Sequence, residues 1–305
     1  MKFLIQNNCV FLHSIVLYLQ ITVTKQQYMF RTNIISYMYK KTVSVLTTII
    51  FILAGCSTDK EQLLIVCTND SHSQVKAKDG KGGFAARADV LDSLRKVYPL
   101  NLLLDAGDIM QGTPYFNLYH GRMEIAAYNR LGYDAITLGN HEFDYGLDTL
   151  AMILKLASFP IVSCNYDVKG TVLEGLVKPY AIFERGGLKV AVIGFGVSPK
   201  SLILQTNFEP IKYLDPIERG NHYADSLKNA GIDYVIALSH LGYYTDGRDN
   251  DSTLAVRSKN IDLILGGHTH NIRKNTTILN ANNRPVHYLQ THKSGLEMDK
   301  VVVEF

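Results

Sequence analysis

Five short apolar runs in this 305-residue chain each end in a cluster of glycine, carboxylate, amide or imidazole groups, and that recurrence narrows the possible folds sharply. Residues 63–67 run into Thr68-Asn69-Asp70-Ser71-His72, and residues 102–104 into Asp105-Ala106-Gly107-Asp108. Residues 135–138 lead to Gly139-Asn140-His141-Glu142, 234–238 to Ser239-His240, and 263–265 to Gly266-Gly267-His268-Thr269-His270. Runs this short, bounded by turn-forming residues, are the pattern of buried strands. The stretches between them carry helical periods at 84–97 (Val90, Leu91, Leu94, Val97), at 123–131 and at 147–157. Strands alternating with helices predict one α/β domain, with no internal repeat or linker in sight. In open α/β sheets the polar strand ends gather along one edge, which is where such sheets place their sites.

Further strands are expected at 161–164, 189–193, 286–290 and 300–305. With 47% hydrophobic and 19% charged residues, a normal buried core is within reach and disorder is excluded. The formal charge of +3 owes its sign to Lys2, Lys25, Arg31, Lys40 and Lys41, which precede the first acid, Asp59. Without those five, 26 basic residues face 28 acidic ones, so the chain lacks the basic footprint of non-specific nucleic-acid binding. Cys67 and Cys164 each lie inside an apolar run, which predicts buried free thiols rather than a disulfide framework.

The N-terminal part reads as a leader. Met38-Tyr39-Lys40-Lys41 is positively charged, 42–53 is apolar but short for a bilayer span, and Leu53-Ala54-Gly55-Cys56 follows. That tetrapeptide resembles the lipobox of bacterial lipoproteins, so 38–55 is expected to be a signal peptide and Cys56 the lipidated residue. Residues 1–37 then form an upstream extension ahead of the true start at Met38. The expected location is the bacterial cell envelope, lipid-anchored to the membrane and facing the periplasm or exterior.

Each strand-end cluster offers oxygen or imidazole nitrogen and none offers thiolate. Such a donor set suits Mn, Zn, Fe or Co, and Mg or Ca where imidazole is weakly used. Taken singly, the clusters have bland readings: Asp70 and His72 as a turn and a surface histidine, Asn140 as a turn residue, His240 as a satisfied core histidine. Taken together, with glycines beside them to let backbone approach closely, they point to one shared site.

The series resembles the calcineurin-like metallophosphoesterases, and within them the 5'-nucleotidase branch, which includes bacterial periplasmic 5'-nucleotidase/UDP-sugar hydrolases. It is carried by Thr68-Asn69-Asp70-Ser71-His72, Asp105-Ala106-Gly107-Asp108-Ile109-Met110-Gln111-Gly112-Thr113, Gly139-Asn140-His141-Glu142-Phe143-Asp144, Ser239-His240-Leu241-Gly242 and Gly267-His268-Thr269-His270. It spans 62–305, taken as one metallophosphoesterase domain. The resemblance implies two facing mixed β-sheets flanked by helices. It also implies two divalent metal ions, one on Asp70, His72, Asp108 and His270, the other on Asp108, Asn140, His240 and His268. One departure stands: many nucleotidases carry Gln or Asn where this chain has His270. In the resembling family, the counterparts of His141 and Asp144 form a catalytic dyad beside the phosphate.

The function implied is hydrolysis of nucleotide phosphomonoesters. A 2',3'-cyclic-nucleotide or UDP-sugar phosphodiesterase is the rival within catalysis, and a non-catalytic scaffold lipoprotein the rival outside it. Nucleotidases of this branch usually continue into a second domain that reads the base. The expectation is therefore a separate chain supplying that domain, or broad and weak selectivity. His120 and His222 are expected on the surface of helices and His287 on a strand. His292, just past a strand end, is a weaker candidate for the site, and Tyr115 and Phe116 are expected to pack in the core.

Overall fold

The computed structural model describes residues 60–305, together with Lys41 and Ser44. The upstream extension, the lipobox and Cys56 lie outside the described residues. In chain order the first strands are β1 (Gln62–Thr68), β2 (Asn101–Asp105), β3 (Ala135–Thr137), β4 (Ile161–Val162), β5 (Tyr166–Asp167) and β6 (Val177–Lys178). Then come β7 (Tyr180–Arg185), β8 (Leu188–Phe195), β9 (Lys212–Tyr213), β10 (Tyr234–Ser239), β11 (Leu263–Leu265), β12 (Arg273–Leu279), β13 (Pro285–Gln290) and β14 (Asp299–Glu304). The helices between them are α1 (Gly83–Val97), α2 (Pro114–Tyr119), α3 (Arg122–Leu131), α4 (Gly146–Leu154), α5 (Gln205–Phe208), α6 (Pro216–Asn229) and α7 (Asp251–Arg257).

Two six-stranded mixed sheets result, ordered β14-β1-β2-β3-β4-β6 and β12-β13-β11-β10-β8-β7, as expected from the resemblance. In the first, β1 to β4 and β6 are parallel and β14 closes the edge antiparallel to β1. In the second, β8, β10, β11 and β13 are parallel, with antiparallel β7 and β12 at the two edges.

Period-2 alternation assigns each strand residue to a layer. Leu63, Ile65, Leu102 and Leu104 of the first sheet share a buried cluster with Val190, Val192, Ile236, Leu238, Leu263 and Leu265 of the second. Their neighbours Leu64, Val66, Leu103 and Ile136 pack outward on Leu91 of α1, Ile125 and Tyr128 of α3 and Leu150 of α4. On the opposite face, Ala191, Ile193, Val235 and Ala237 meet Ile217, Ala224 and Leu227 of α6 and Leu254 of α7. Each large aliphatic side chain so buried contributes about 1.5–3 kcal/mol, which makes both faces of both sheets cohesive.

Helix starts follow local chemistry. Asp215 caps α6 by accepting from the Ile217 and Glu218 N–H groups, and Pro216 sits in the first turn where it lacks nothing. Thr113-Pro114 opens α2 the same way. His222 lies on α6 as expected, whereas His120 is not helical: it follows α2 with φ 54°. Cys67 and Cys164 are buried and free. Phe116 is in the core, while its neighbour Tyr115 is only half-buried. Among the described residues no helix is long and apolar enough to cross a membrane.

Candidate metal centre

Parallel register carries the polar clusters to one edge. Thr68 lies opposite Asp105 at the ends of β1 and β2, and the loops beyond continue side by side: the N–H groups of Asp70, His72 and Ser73 donate to the carbonyls of Gly107, Asp108 and Ile109. The ends of β10 and β11 bring His240, His268 and His270 from the second sheet to the same place. Asp70, His72, Asp108, His268 and His270 all hold φ between 45° and 72°. For residues with a Cβ this costs about 1–3 kcal/mol each, and strain concentrated on five candidate ligands is a mark of function.

Close approach also fixes Gly139. A Cβ there would stand 2.7 Å from His240 Nε2 and run into the Asp108 carboxylate. Gly139→Ala is therefore expected to push these two groups apart and lower bound metal per chain by half or more, measured by elemental analysis. A variant with full metal content would show that the contact yields.

Three groups of donor atoms lie within 4.8 Å of one another: Asp70, His72 and His270; Asp108, His240 and His268; and His72, Asp108 and His141. His270 Nε2 is 3.2 Å and His72 Nε2 3.9 Å from Asp70 Oδ1, while the two imidazole Nε2 atoms are 3.0 Å apart. His240 Nδ1 faces the Ala106 carbonyl oxygen at 2.6 Å and donates to it, which turns Nε2 toward Asp108 Oδ2 at 3.1 Å. His240 Nε2 and Asn140 Oδ1 are both buried without a hydrogen bond. Acceptors that converge with no donor among them suit a cation, so these residues fit a pair of divalent metals. Asp108 stands in two of the three groups, and the one it shares with His72 links the other two. His292 is in none of them.

The electrostatics are those of tightly coupled acids and bases. Burial works against ionisation of Asp108, yet the charge of His240 beside it holds the carboxyl well below the usual range. Burial would lower His240, but Asp108 and Asp70 push it up to about 10. His268 falls to about 4 through burial and the neighbouring His240. His141, resisting partial burial, is raised by Asp144, whose carboxylate oxygens lie 3.1 and 3.2 Å from its Nδ1. Both members of this dyad are partly exposed, with 30% and 37% of their side chains open to solvent.

A supporting layer escapes sequence reasoning. Buried Glu142 accepts four backbone N–H groups: Asp108 (3.0 Å), Ile109 (2.8 Å), Met110 (3.3 Å) and Gly139 (2.6 Å). Asn69 accepts from the N–H and hydroxyl of Thr291 and donates to Asp70 Oδ2 at 2.6 Å. Gln290, with its amide turned to satisfy its neighbours, donates to the Gly267 carbonyl and accepts from the His270 N–H. Arg87, fully buried on α1, donates to Tyr133 and Ser71, and Asp105 accepts from Thr68 and Tyr128. Thus the 68–73 segment, strained at Asp70, His72 and Ser73, is braced from below by a buried polar network. Glu142 stands inside a motif visible in the sequence, but backbone partners leave no trace there.

Residues 63–271 match the sequence family described as calcineurin-like phosphoesterase. A snake venom 5'-nucleotidase from Gloydius brevicauda is 37% identical over 223 residues, covering 68% of this chain and 37% of the venom protein. A 5'-nucleotidase from Vibrio vulnificus is 34% identical over 241 residues, covering 71% of this chain and 43% of its own. Among solved structures, a 5'-nucleotidase precursor from Thermus thermophilus superposes with TM-score 0.73 at 33% identity, over 80% of this chain and 51% of that one. The chain spans about two-fifths of the length of these two sequence relatives.

Proposed function

This chain belongs to the calcineurin-like phosphoesterase family, and from that premise we propose that it hydrolyses nucleotide phosphomonoesters at a two-metal centre. The observation that carries the reading is the set of donor groups linked through Asp108 and His72, with the His141–Asp144 dyad beside them. Asp70, His72, Asp108 and His270 would hold one cation, and Asp108, Asn140, His240 and His268 the other. Residues 62–305 would form the catalytic domain, and the lipobox at Cys56 would tether it to the cell envelope. The names of the relatives support a nucleotide as substrate.

Held by these residues, two cations would lower the pKa of a bound water and offset charge that develops on phosphoryl oxygens. The chain's own groups do the rest. The Ala106 carbonyl takes the Nδ1–H of His240, so Nε2 is the atom that would meet a cation, which would displace the proton that Asp108 and Asp70 favour there. The Asp144 carboxylate at Nδ1 favours the charged imidazole and would leave Nε2–H to face the substrate. As the P–O bond breaks and water adds to phosphorus, that proton passes to the departing alkoxide, giving alcohol and inorganic phosphate. His141→Ala is expected to keep fold and metals while lowering turnover by about 10²–10⁴-fold. The loss should be largest for poor leaving groups; a uniform loss would assign His141 to charge stabilisation instead.

The reading is tested by assaying AMP, UDP-glucose and a 2',3'-cyclic nucleotide with Mn or Zn added, alongside metal analysis. Hydrolysis of a diester or pyrophosphate without AMP hydrolysis would move the chain to the rival phosphodiesterase reading. A chain that bound no metal and hydrolysed none of the three would leave only the scaffold.

A further inference from the structure

The strands β14, β6, β12 and β7 form the edges of the two six-stranded sheets, and an open edge invites pairing with another chain. Three of them discourage it. β6 is two residues long and runs into Pro179. β12 carries Arg273 and Lys274 and is broken by a register shift between Arg273 and Thr276. β7 gathers Glu184 and Arg185 at one end, where an antiparallel copy would set them against Tyr180 and Ala181. β14 is different. It reads Asp299-Lys300-Val301-Val302-Val303-Glu304, follows β1 residue for residue without a bulge, and leaves its three valines only half-buried.

Antiparallel pairing fixes which backbone groups of β14 are open. The Phe305 N–H donates to the Glu61 carbonyl, while on β1 the Leu64 N–H donates the other way, to Leu100 beside β2. Alternation therefore turns the odd-numbered residues of β14 toward β1, and points the N–H and C=O groups of Lys300, Val302 and Glu304 outward. Among the described residues no strand lies beyond them. The side chains of Lys300 and Glu304 are exposed as well. Lys300 reaches over the Tyr98 ring and Glu304 accepts from Gln62, and neither enters an ion pair among the described residues. On the other face of the strand, Val301 and Val303 border a cavity of about 640 Å³ with Tyr234 and Leu289.

We propose that β14 is a self-association edge, to which the β14 of a second copy of this chain adds antiparallel about a two-fold axis at Val302. An antiparallel copy inverts the order Lys-Val-Val-Val-Glu, so Lys300 meets Glu304 of the partner subunit at both ends of the contact. Val302 meets Val302 of the partner subunit between them. In each of these pairs both residues have their backbone groups open, so each pair exchanges two N–H···O=C bonds. Val301 falls opposite Val303 of the partner subunit on the cavity side, which extends the aliphatic layer across the axis. Other registers lose one or the other match. A slip of one residue sets an open backbone position against one already bonded to β1, and a slip of two sets Lys300 or Glu304 against Val302. Backbone bonds alone would accept any extended segment, but the inverted charge order selects a second copy.

Sedimentation equilibrium of the purified chain is expected to show monomer and dimer in exchange. The Val302 N–H is expected to exchange with solvent at least about tenfold more slowly in the dimer than on dilution to monomer. Lys300→Glu sets like charges against each other at both ends and should raise the dimer dissociation constant about tenfold. Glu304→Lys alone should do the same, and the two substitutions together should restore association, because the swapped pairs are again opposite in sign. Both side chains are exposed, so the fold should survive, which a thermal melt of each variant checks. Val302→Pro removes the central outward N–H without touching a bond to β1, and should leave a folded monomer. A wild-type chain that stays monomeric at every concentration would overturn the proposal. So would a dimer indifferent to Lys300→Glu, a double variant as weak as the single ones, or a Val302 N–H that exchanges as fast in the dimer as in the monomer.

Discussion

Asp108→Ala is expected to bring AMP hydrolysis down to background and to take bound metal from two ions per chain to fewer than one. His72 also stands in two donor groups, but Asp108 is the carboxylate among the described ligands that does so. Its carboxylate belongs to the group with His240 and His268 and also to the group with His72, and it accepts the His141 N–H at 2.9 Å. Removing it would withdraw negative charge from both proposed cation positions and unfasten the His141 backbone in one step. It also strips buried His240 of its nearest carboxylate, leaving only Asp70, at 3.9 Å, to hold the charged form of the ring. Asp108→Asn separates the two effects, because it keeps an acceptor for His141 but not the charge. A purified Asp108→Ala protein that retained two metals per chain would end the bridging assignment.

Glu142→Ala is expected to be the most damaging substitution for stability. Four N–H donors, from Asp108, Ile109, Met110 and Gly139, converge on this one buried carboxylate. Truncation would leave all four without an acceptor, at about 1–3 kcal/mol for each buried group left unsatisfied. A typical fold is stable by about 5–15 kcal/mol, so the loss is comparable with the total. The expected result is a protein that is insoluble or melts many degrees lower, with the Asp108 and Asn140 loops no longer in register. Thermal denaturation of the variant, with Glu142→Gln as the same-sized partner, checks this. A melting temperature within about two or three degrees of wild type would show that water takes over the carboxylate's role.

How far these features are legible from the sequence depends on where their partners lie. The buried parallel strands are clear because both of their faces are apolar, and the run 263–265 coincides with β11 to the residue. The edge strands are not. β12 reads Arg-Lys-Asn-Thr-Thr-Ile-Leu and is half exposed, so it lacks the apolar run that marks its neighbours. β5, β6 and β9 are two residues long and owe their pairing to tertiary context alone. The helix expected to reach 157 stops at Leu154, since ordinary residues with no proline or glycine give no signal for its end. At the site, the seven candidate ligands and the His141–Asp144 pair can be named from strand-end position and family resemblance. Glu142, Gln290 and Arg87 cannot be given roles, because each acts on backbone or on residues more than thirty positions away in at least one contact.

The proposed centre draws carboxylates and an amide from one sheet and imidazoles chiefly from the other. The layer between those sheets is mostly aliphatic, crossed by a few polar ties such as Arg185 to the Asn101 carbonyl and Asp134. A cation pair gripped from both sides would act as a rivet at one end of that layer. Shear between the sheets would then have to stretch metal–ligand bonds, and the energy of loading would be added to the energy of folding. Cofactor supply and mechanical integrity would then be coupled in this domain. A shortage of metal would be felt as a softer protein as well as a slower one.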